Sequence, residues 1–190
     1  MIDKQALRAE LRRRRTDHEA AIPDSVRALL FRLPPAPLLD LVPDGAVIGV
    51  YHPVPGEASP LGYARWFAER GHPIALPWFA GRAAPMQFRV WANPFDDDDL
   101  ITAPYGGLQP AESEPEAAPA VLIVPLLGFT ANGHRLGQGG GHYDRYLGHH
   151  AATVAIGIAW DCQLEPELPT EPHDMPLRAV VTPTRFYGPF

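Results

Sequence analysis

An α/β fold built on a parallel sheet is predicted by three stretches. Ala46–Tyr51 (AVIGVY) is a β-rich run. A loop, an apolar stripe of Leu61, Ala64, Phe67 and Ala68 at helical spacing, and a second short strand over Pro73–Leu76 follow it. A β-loop-α-turn-β run implies parallel strands joined by a right-handed crossover. The apolar run Val121–Val124 is a buried strand, and a glycine-rich segment and a helical start at Tyr143–Leu147 come after it. Thr153–Ile158 (TVAIGI) then supplies another strand.

The elements are justified in order. Asp3 is placed to cap a helix running to about Ala21, with Ala6, Leu7 and Leu11 at helical spacing. Lys4 and Arg8 are four apart and share a face, and Arg12–Arg15 is read as a solvated charge run. Asp24–Arg32 is expected as a second helix, stopped by Pro34-Pro35. Ala46–Tyr51 is the expected central strand, and the loop His52–Pro60 after it carries Glu57. Ser59-Pro60 starts the next helix, with Pro60 at its first position, and Gly71 stops it. Ligands in parallel sheets bind at the carboxyl ends of strands, where Glu57 falls. Met86–Trp91 is a strand, and Phe95–Gly107 is read as irregular. Its acid run Asp96–Asp99 is a solvated loop, because neighbouring side chains of an extended chain point apart. Gln109–Pro119 is a surface connection, and Arg178–Val181 is the last strand.

Composition narrows the class. A chain of 190 residues suits one domain, 1–190, with a substantial core. A net charge of −6 argues against a general nucleic-acid binder. One cysteine, Cys162, excludes an internal disulfide and fits a reducing compartment. There is no membrane-length apolar run and the N-terminus is charged, so a cytoplasmic protein is expected.

The stretch Val121–Leu147 carries the chemistry. Asn132-Gly133 is a turn dipeptide, Arg135 follows, and four glycines stand within five residues: Gly137, Gly139, Gly140 and Gly141. Strand, glycine loop and helix form an arrangement suited to phosphate, because glycine lets the backbone approach an anion and a helix start offers free N–H groups. Stock fingerprints are absent. His134-Arg135 stands where a phosphate loop needs Lys-Ser/Thr, and His142 stands where a GxGxxG motif needs its last glycine. Asp144 either caps the helix or holds Mg²⁺, since a carboxylate beside phosphates needs a cation between them.

The segment PLLGFTANGHRLGQGGGHYDRYL resembles the signature of the 5-formyltetrahydrofolate cyclo-ligase (5,10-methenyltetrahydrofolate synthetase) family. KQALR at the N-terminus matches the family's Lys-x-x-x-Arg pair, and HDMPLRAVVTP matches a segment near its C-terminus. Thr130 replaces the family's usual Asp, His142 its first Tyr, and Arg178 a common acid. The resemblance implies a single Rossmann-like domain, similar to sugar-isomerase and CoA-transferase folds, with a mostly parallel sheet covered by helices on both faces. It implies that Lys4, Arg8, Arg135, Leu136, Gly137, Gln138, Gly139, Gly140, Gly141, His142 and Tyr143 contact ATP. Asp144 and Asp174 would hold Mg²⁺. Glu57 would bind the folate, with Tyr51, His52, Met86 and Tyr143 shaping the pocket and Tyr105 over the ring. Arg135 and Glu57 would carry the chemistry.

The implied activity is ATP-driven closure of 5-formyltetrahydrofolate to 5,10-methenyltetrahydrofolate by a monomer, with no nucleic acid or membrane partner. Two alternatives stand beside it. One is a non-catalytic nucleotide- or folate-binding member, which Thr130, His142 and Arg178 favour and the retained Glu57, Asp144 and Asp174 oppose. The other is a phosphosugar isomerase or acyl-CoA transferase on a similar fold, which would need no ATP.

Overall fold

The computed structural model describes residues 3–190. The elements are α1 (Lys4–Ala21), α2 (Asp24–Arg27), α3 (Ala36–Leu39), β1 (Ile48–Gly49), α4 (Leu61–Ala68), β2 (Ile74–Trp78), β3 (Gln87–Val90), β4 (Leu100–Thr102) and β5 (Leu108–Pro110). They continue with β6 (Val121–Val124), β7 (Gly128–Phe129), β8 (Arg135–Leu136), α5 (His142–His149), β9 (Val154–Ile158), β10 (Ala179–Val181) and β11 (Phe186–Tyr187). The main sheet has the order β11-β10-β9-β6-β1-β2-β3. Its five inner strands are parallel, and the edge strands β11 and β3 are antiparallel.

Alternate residues along these strands feed two separate cores. Ile48, Ile74, Leu76, Val121, Ile123, Ile156 and Ile158 face one side, where α3 adds Leu38 and α4 adds Tyr63, Ala64 and Phe67. Ala75, Leu122, Val124, Ala155 and Val180 face the other, where α5 adds Tyr146 and Leu147. Helices therefore cover both faces, and all four β6 residues are buried as a doubly covered parallel strand requires. The packing is close at Gly49. A β-carbon there would lie 2.7 Å from Leu122 and 2.8 Å from Pro119.

The first helix keeps its predicted bounds. Asp3 accepts the N–H of Gln5 at 2.9 Å, and the helix gives way at Ile22, before Pro23. It lies against a small third core of Leu11, Leu127, Leu136 and Leu168. Burial of a side chain like Leu11 contributes about 1.5–3 kcal/mol, and this anchors the helix.

Several expectations are corrected. The second helix stops at Arg27 instead of Arg32. The chain tightens into i+3 hydrogen bonds, and Phe31 takes a φ of +54° that turns its ring into the core against Tyr63 and Trp160. Pro60 caps α4 and is not its first residue. The stretch 95–107 is not wholly irregular, because β4 pairs with β5. β11 lies beyond the strand expected to be last.

Candidate active site

Strand connections diverge at the centre of the sheet. From β1 the chain crosses to β2 on one side, whereas β6 lies on the other and leads to β9. A crevice forms at the carboxyl ends of strands at such a switch point. The chain leaving β1 supplies Tyr51, His52 and the loop to Glu57. The chain leaving β6 supplies Pro125, the β7/β8 hairpin and the glycine loop. A cavity of about 270 Å³ opens here, walled by Lys4 and Arg8, by Arg135 through Asp144, and by Glu171, His173 and Asp174. A larger one of about 690 Å³ lies between Leu29–Pro35 and Val181–Phe186 and has no carboxylate in its wall. Chemistry, not volume, marks the site.

The hairpin aims Arg135. Thr130 N–H donates to the His134 carbonyl at 2.9 Å, and the Thr130 hydroxyl accepts from the His134 N–H at 3.2 Å. Gly133 has a φ of +89°, and a β-carbon there would strike Phe190 at 2.7 Å and the Leu177 carbonyl at 2.9 Å. Thr130 thus closes a turn outside the cavity wall, a task an Asp side chain also performs. Arg178 bonds the Phe190 carbonyl and is likewise away from the wall. Of the three departures only His142 lies in the site.

Arg135 is 8% exposed. It donates through Nη2 to Asp144 Oδ1 at 2.6 Å and through Nη1 to the Met175 carbonyl. Burial pulls the guanidinium pKa down and Asp144 pushes it back up. Asp144 stands third in α5, and its Oδ1 also accepts the Met175 N–H at 3.1 Å. The peptide next to Asp174 therefore touches Asp144, so the two carboxylates far apart in sequence share one wall. Asp174 Oδ2 accepts the Glu171 N–H at 2.7 Å, which closes a turn. Lys4 Nζ lies 3.2 Å from Glu171 and 3.8 Å from Asp174. Ligand atoms of Glu171, His173 and Asp174 lie within 4.8 Å of one another. Carboxylate oxygens gathered at a cavity wall and already drawing a cation suit a hard divalent ion such as Mg²⁺.

The glycine loop is pinned to α1. Arg8 Nε donates to the Gly137 carbonyl at 3.1 Å, and Arg12 Nη2 donates to Gln138 Oε1 at 2.8 Å. Gly139 has a φ of +103° with its open side against the Arg8 guanidinium, where a β-carbon would lie 3.4 Å away. Gly141, with a φ of +63°, leads directly into α5. Leu136 is buried under the loop.

Gln138 links this loop to the other side of the crevice by donating to Glu57 Oε1 at 3.3 Å. Arg15 Nη1 approaches the same oxygen at 3.3 Å, and the Val54 N–H donates to Oε2 at 3.2 Å. Tyr51, whose hydroxyl donates to the Ala58 carbonyl, and Tyr143 lie within electrostatic reach of this carboxylate. Burial pushes both hydroxyl pKa values far up, and Glu57 adds to the effect, so both stay protonated. His52 Nε2 lies 3.2 Å from Asp97, which ties the acid loop to the end of β1. Met86 is buried and lines a different cavity of about 480 Å³ with Phe88 and Tyr146, on the far side of His142. His142 borders both cavities and packs on Phe79 at 5.0 Å and Tyr105 at 5.1 Å. Burial, then Arg145, lowers its pKa.

The structure thus groups Lys4, Arg8, Arg135, the glycine loop, Asp144 and Asp174, and joins Glu57 to them through Gln138. Met86 and His52 lie farther out. Arg12–Arg15 is not a wholly solvated run, because Arg15 is 2% exposed and Arg14 pairs with Glu165. The sequence reading passed over Phe79, Glu171 and Arg15. For Arg15 a signal exists, since Lys4, Arg8, Leu11 and Arg15 fall on one helical face. Cys162 is half-buried with its thiol pKa pushed up by burial, which disfavours a reactive thiolate. Among the described residues no helix is long and apolar enough to cross a membrane.

Comparison with known proteins gives a consistent result. A profile of the 5-formyltetrahydrofolate cyclo-ligase family matches residues 1–183. The 5-formyltetrahydrofolate cyclo-ligase of Mycolicibacterium smegmatis is 31% identical over 185 residues, covering 94% of each chain. That of Escherichia coli K12 is 52% identical over 69 residues, 35% of this chain and 38% of that protein. Among solved structures, the 5,10-methenyltetrahydrofolate synthetase of Aquifex aeolicus superposes with a TM-score of 0.71 at 23% identity, covering 96% of this chain and 93% of that one. The Mycoplasma pneumoniae synthetase gives 0.67 at 20% identity, covering 94% and 98%. With a family match across nearly all of its length, and a relative 31% identical over 94% of each chain, this chain belongs to the 5-formyltetrahydrofolate cyclo-ligase family.

Proposed function

We propose that residues 1–190 form one catalytic unit that closes 5-formyltetrahydrofolate to 5,10-methenyltetrahydrofolate at the expense of ATP. The observation that carries the site assignment is the glycine loop itself. It is fixed on one side to the cations of α1 and on the other to Glu57 through Gln138, and the Arg135–Asp144 pair joins the residues that flank it.

The chemistry explains why these parts are needed together. A formamide oxygen is a very poor leaving group. It takes the γ-phosphoryl group of ATP, ADP departs, N10 attacks the formyl carbon with loss of its proton, and inorganic phosphate leaves. Phosphoryl transfer needs positioning and charge neutralisation more than covalent help. Lys4, Arg8 and Arg135 supply positive charge, and the N–H groups of the glycine loop gather phosphate oxygens. Asp144 and Asp174, with Glu171 beside them, are the residues that would hold Mg²⁺, which neutralises phosphate charge when bound. Glu57 accepts donors of the pterin, the protonated Tyr143 offers a hydroxyl beside it, Tyr51 holds the loop by donating to the Ala58 carbonyl, and Tyr105, His142 and Phe79 give an aromatic edge. His52 bounds the folate pocket from farther out, whereas Met86, in the wall of the separate cavity, is not part of it.

The reading of a member that has lost turnover draws little support, because Thr130 and Arg178 perform structural tasks away from the cavity. Mixing the protein with ATP, Mg²⁺ and 5-formyltetrahydrofolate and following methenyltetrahydrofolate absorbance tests the proposal. Growth of absorbance that requires ATP is expected. A flat trace with a correctly folded protein would refute it.

A further inference from the structure

We infer that Arg15 is a positioning residue that holds Glu57 in its substrate-binding orientation; this rests on the reading above that Glu57 meets the folate. Arg15 is 2% exposed, yet its charge is poorly served. Nη1 reaches Glu57 Oε1 and the Leu126 carbonyl, both at 3.3 Å, and Nε is buried with no hydrogen-bond partner among the described residues. A buried cation with incomplete partners is costly, and if Glu57 were absent a Met or Leu at this point in α1 would cost less. Apart from Glu57, no side chain here calls for an arginine.

Nor does the backbone need it. Gln163 Nε2 already donates to the Leu126 carbonyl at 2.8 Å and to the Leu127 carbonyl at 3.1 Å. The group left depending on Arg15 is Glu57, whose side chain is 7% exposed. Its other donors are the Val54 N–H, from its own loop, and Gln138, from the exposed glycine loop. Arg15 alone ties this carboxylate to a helix that is anchored in the core. The same helix carries Lys4 and Arg8 to the phosphate cavity, so one rigid element sets the spacing between the ATP side and the folate side.

The test is a cycle of Arg15→Met, Glu57→Gln and the double variant, with Arg15→Lys as the conservative change. Steady-state KM for folate and for ATP is measured in each, with thermal unfolding alongside. Arg15→Met should fold and raise the folate KM by about 10- to 100-fold, the scale of one lost charge-assisted contact, with the ATP KM changed by less than about 2-fold. Arg15→Lys should recover part of the loss. The double variant should be no worse than Glu57→Gln alone, since the two residues act as one. If Glu57→Gln raises the folate KM while Arg15→Met alters only the melting temperature, Arg15 is structural and the inference is wrong. If Glu57→Gln leaves the folate KM unchanged, the assignment of Glu57 itself falls and the inference goes with it. Should the Met variant be too unstable to assay, Arg15→Gln, which keeps a donor and loses the charge, decides, because an unchanged folate KM there also refutes the role.

Discussion

At Asp144 a single carboxylate oxygen accepts from the Arg135 guanidinium at 2.6 Å and from the Met175 N–H at 3.1 Å. At Asp174 the carboxylate closes its own turn and lies 3.8 Å from Lys4, with both side chains partly exposed. The two acids are therefore unequal, although the sequence treats them alike as metal ligands. Asp174→Asn should raise the Mg²⁺ concentration for half activity by about 10-fold or more, since one charged oxygen ligand is lost. Asp144→Asn should instead lower kcat by about 10- to 100-fold at saturating Mg²⁺, because Arg135 loses its charged anchor. Mg²⁺ titration of the rate separates them; equal shifts in both variants would show that Asp144 serves only as a ligand. The Lys4/Arg8 pair and the glycines were readable because their spacing is local. Glu171 was not readable, since its part depends on a turn that brings it to Lys4 from 167 residues away in the chain.

As an element, α1 is a strap across the carboxyl ends of the strands, and its inward face alternates charge with one apolar anchor. Lys4 meets Glu171 and Asp174, Arg8 the Gly137 carbonyl, and Arg15 Glu57, while Leu11 holds the helix down. Lys4→Ala should leave folding intact, because its partners are partly exposed and such pairs contribute at most about 1 kcal/mol. It should raise the ATP KM by about 10-fold or more and the folate KM by less than about 2-fold, as a contact to phosphate alone would. Equal rises in both constants, measured by steady-state kinetics, would place Lys4 elsewhere in the cycle. The ends of α1 were legible because Asp3 and Pro23 act through nearest neighbours, and β6 was legible because all four residues are apolar. The short pair β4 and β5 and the edge strand β11 were not. Two or three residues carry no periodicity, and such strands exist only through a partner the sequence does not name. Hydropathy failed for Arg15 because it assigns charge to solvent, whereas this charge is buried for a neighbour's sake.

At the scale of the molecule, a net charge of −6 coexists with a cation-lined cavity. The sheet's switch between β1 and β6 brings the loop carrying Glu57 and the glycine loop together, and Gln138 bridges them. An ionised carboxylate has about four acceptor sites. Glu57 already uses three, on Arg15, Gln138 and the Val54 N–H. Of these donors Gln138 is the one on the glycine loop, whose N–H groups would turn toward phosphate on binding ATP as proposed above. Drawing that loop onto the phosphates would take Gln138 off Glu57 Oε1 and free the oxygen for the pterin. ATP should then tighten folate binding, and folate ATP binding, with a reciprocal coupling of about 1–3 kcal/mol. Gln138→Ala removes the competitor from the start. It should strengthen folate binding without nucleotide and shrink the coupling, while Gly140→Val, whose β-carbon would meet the His142 ring at 2.8 Å, should shrink the coupling by holding the loop off the phosphates. Calorimetric titration of a folate analogue, with and without a non-hydrolysable ATP analogue, reads each value directly. Equal folate affinity in the two titrations of the unaltered protein would show that Gln138 does not connect the sites.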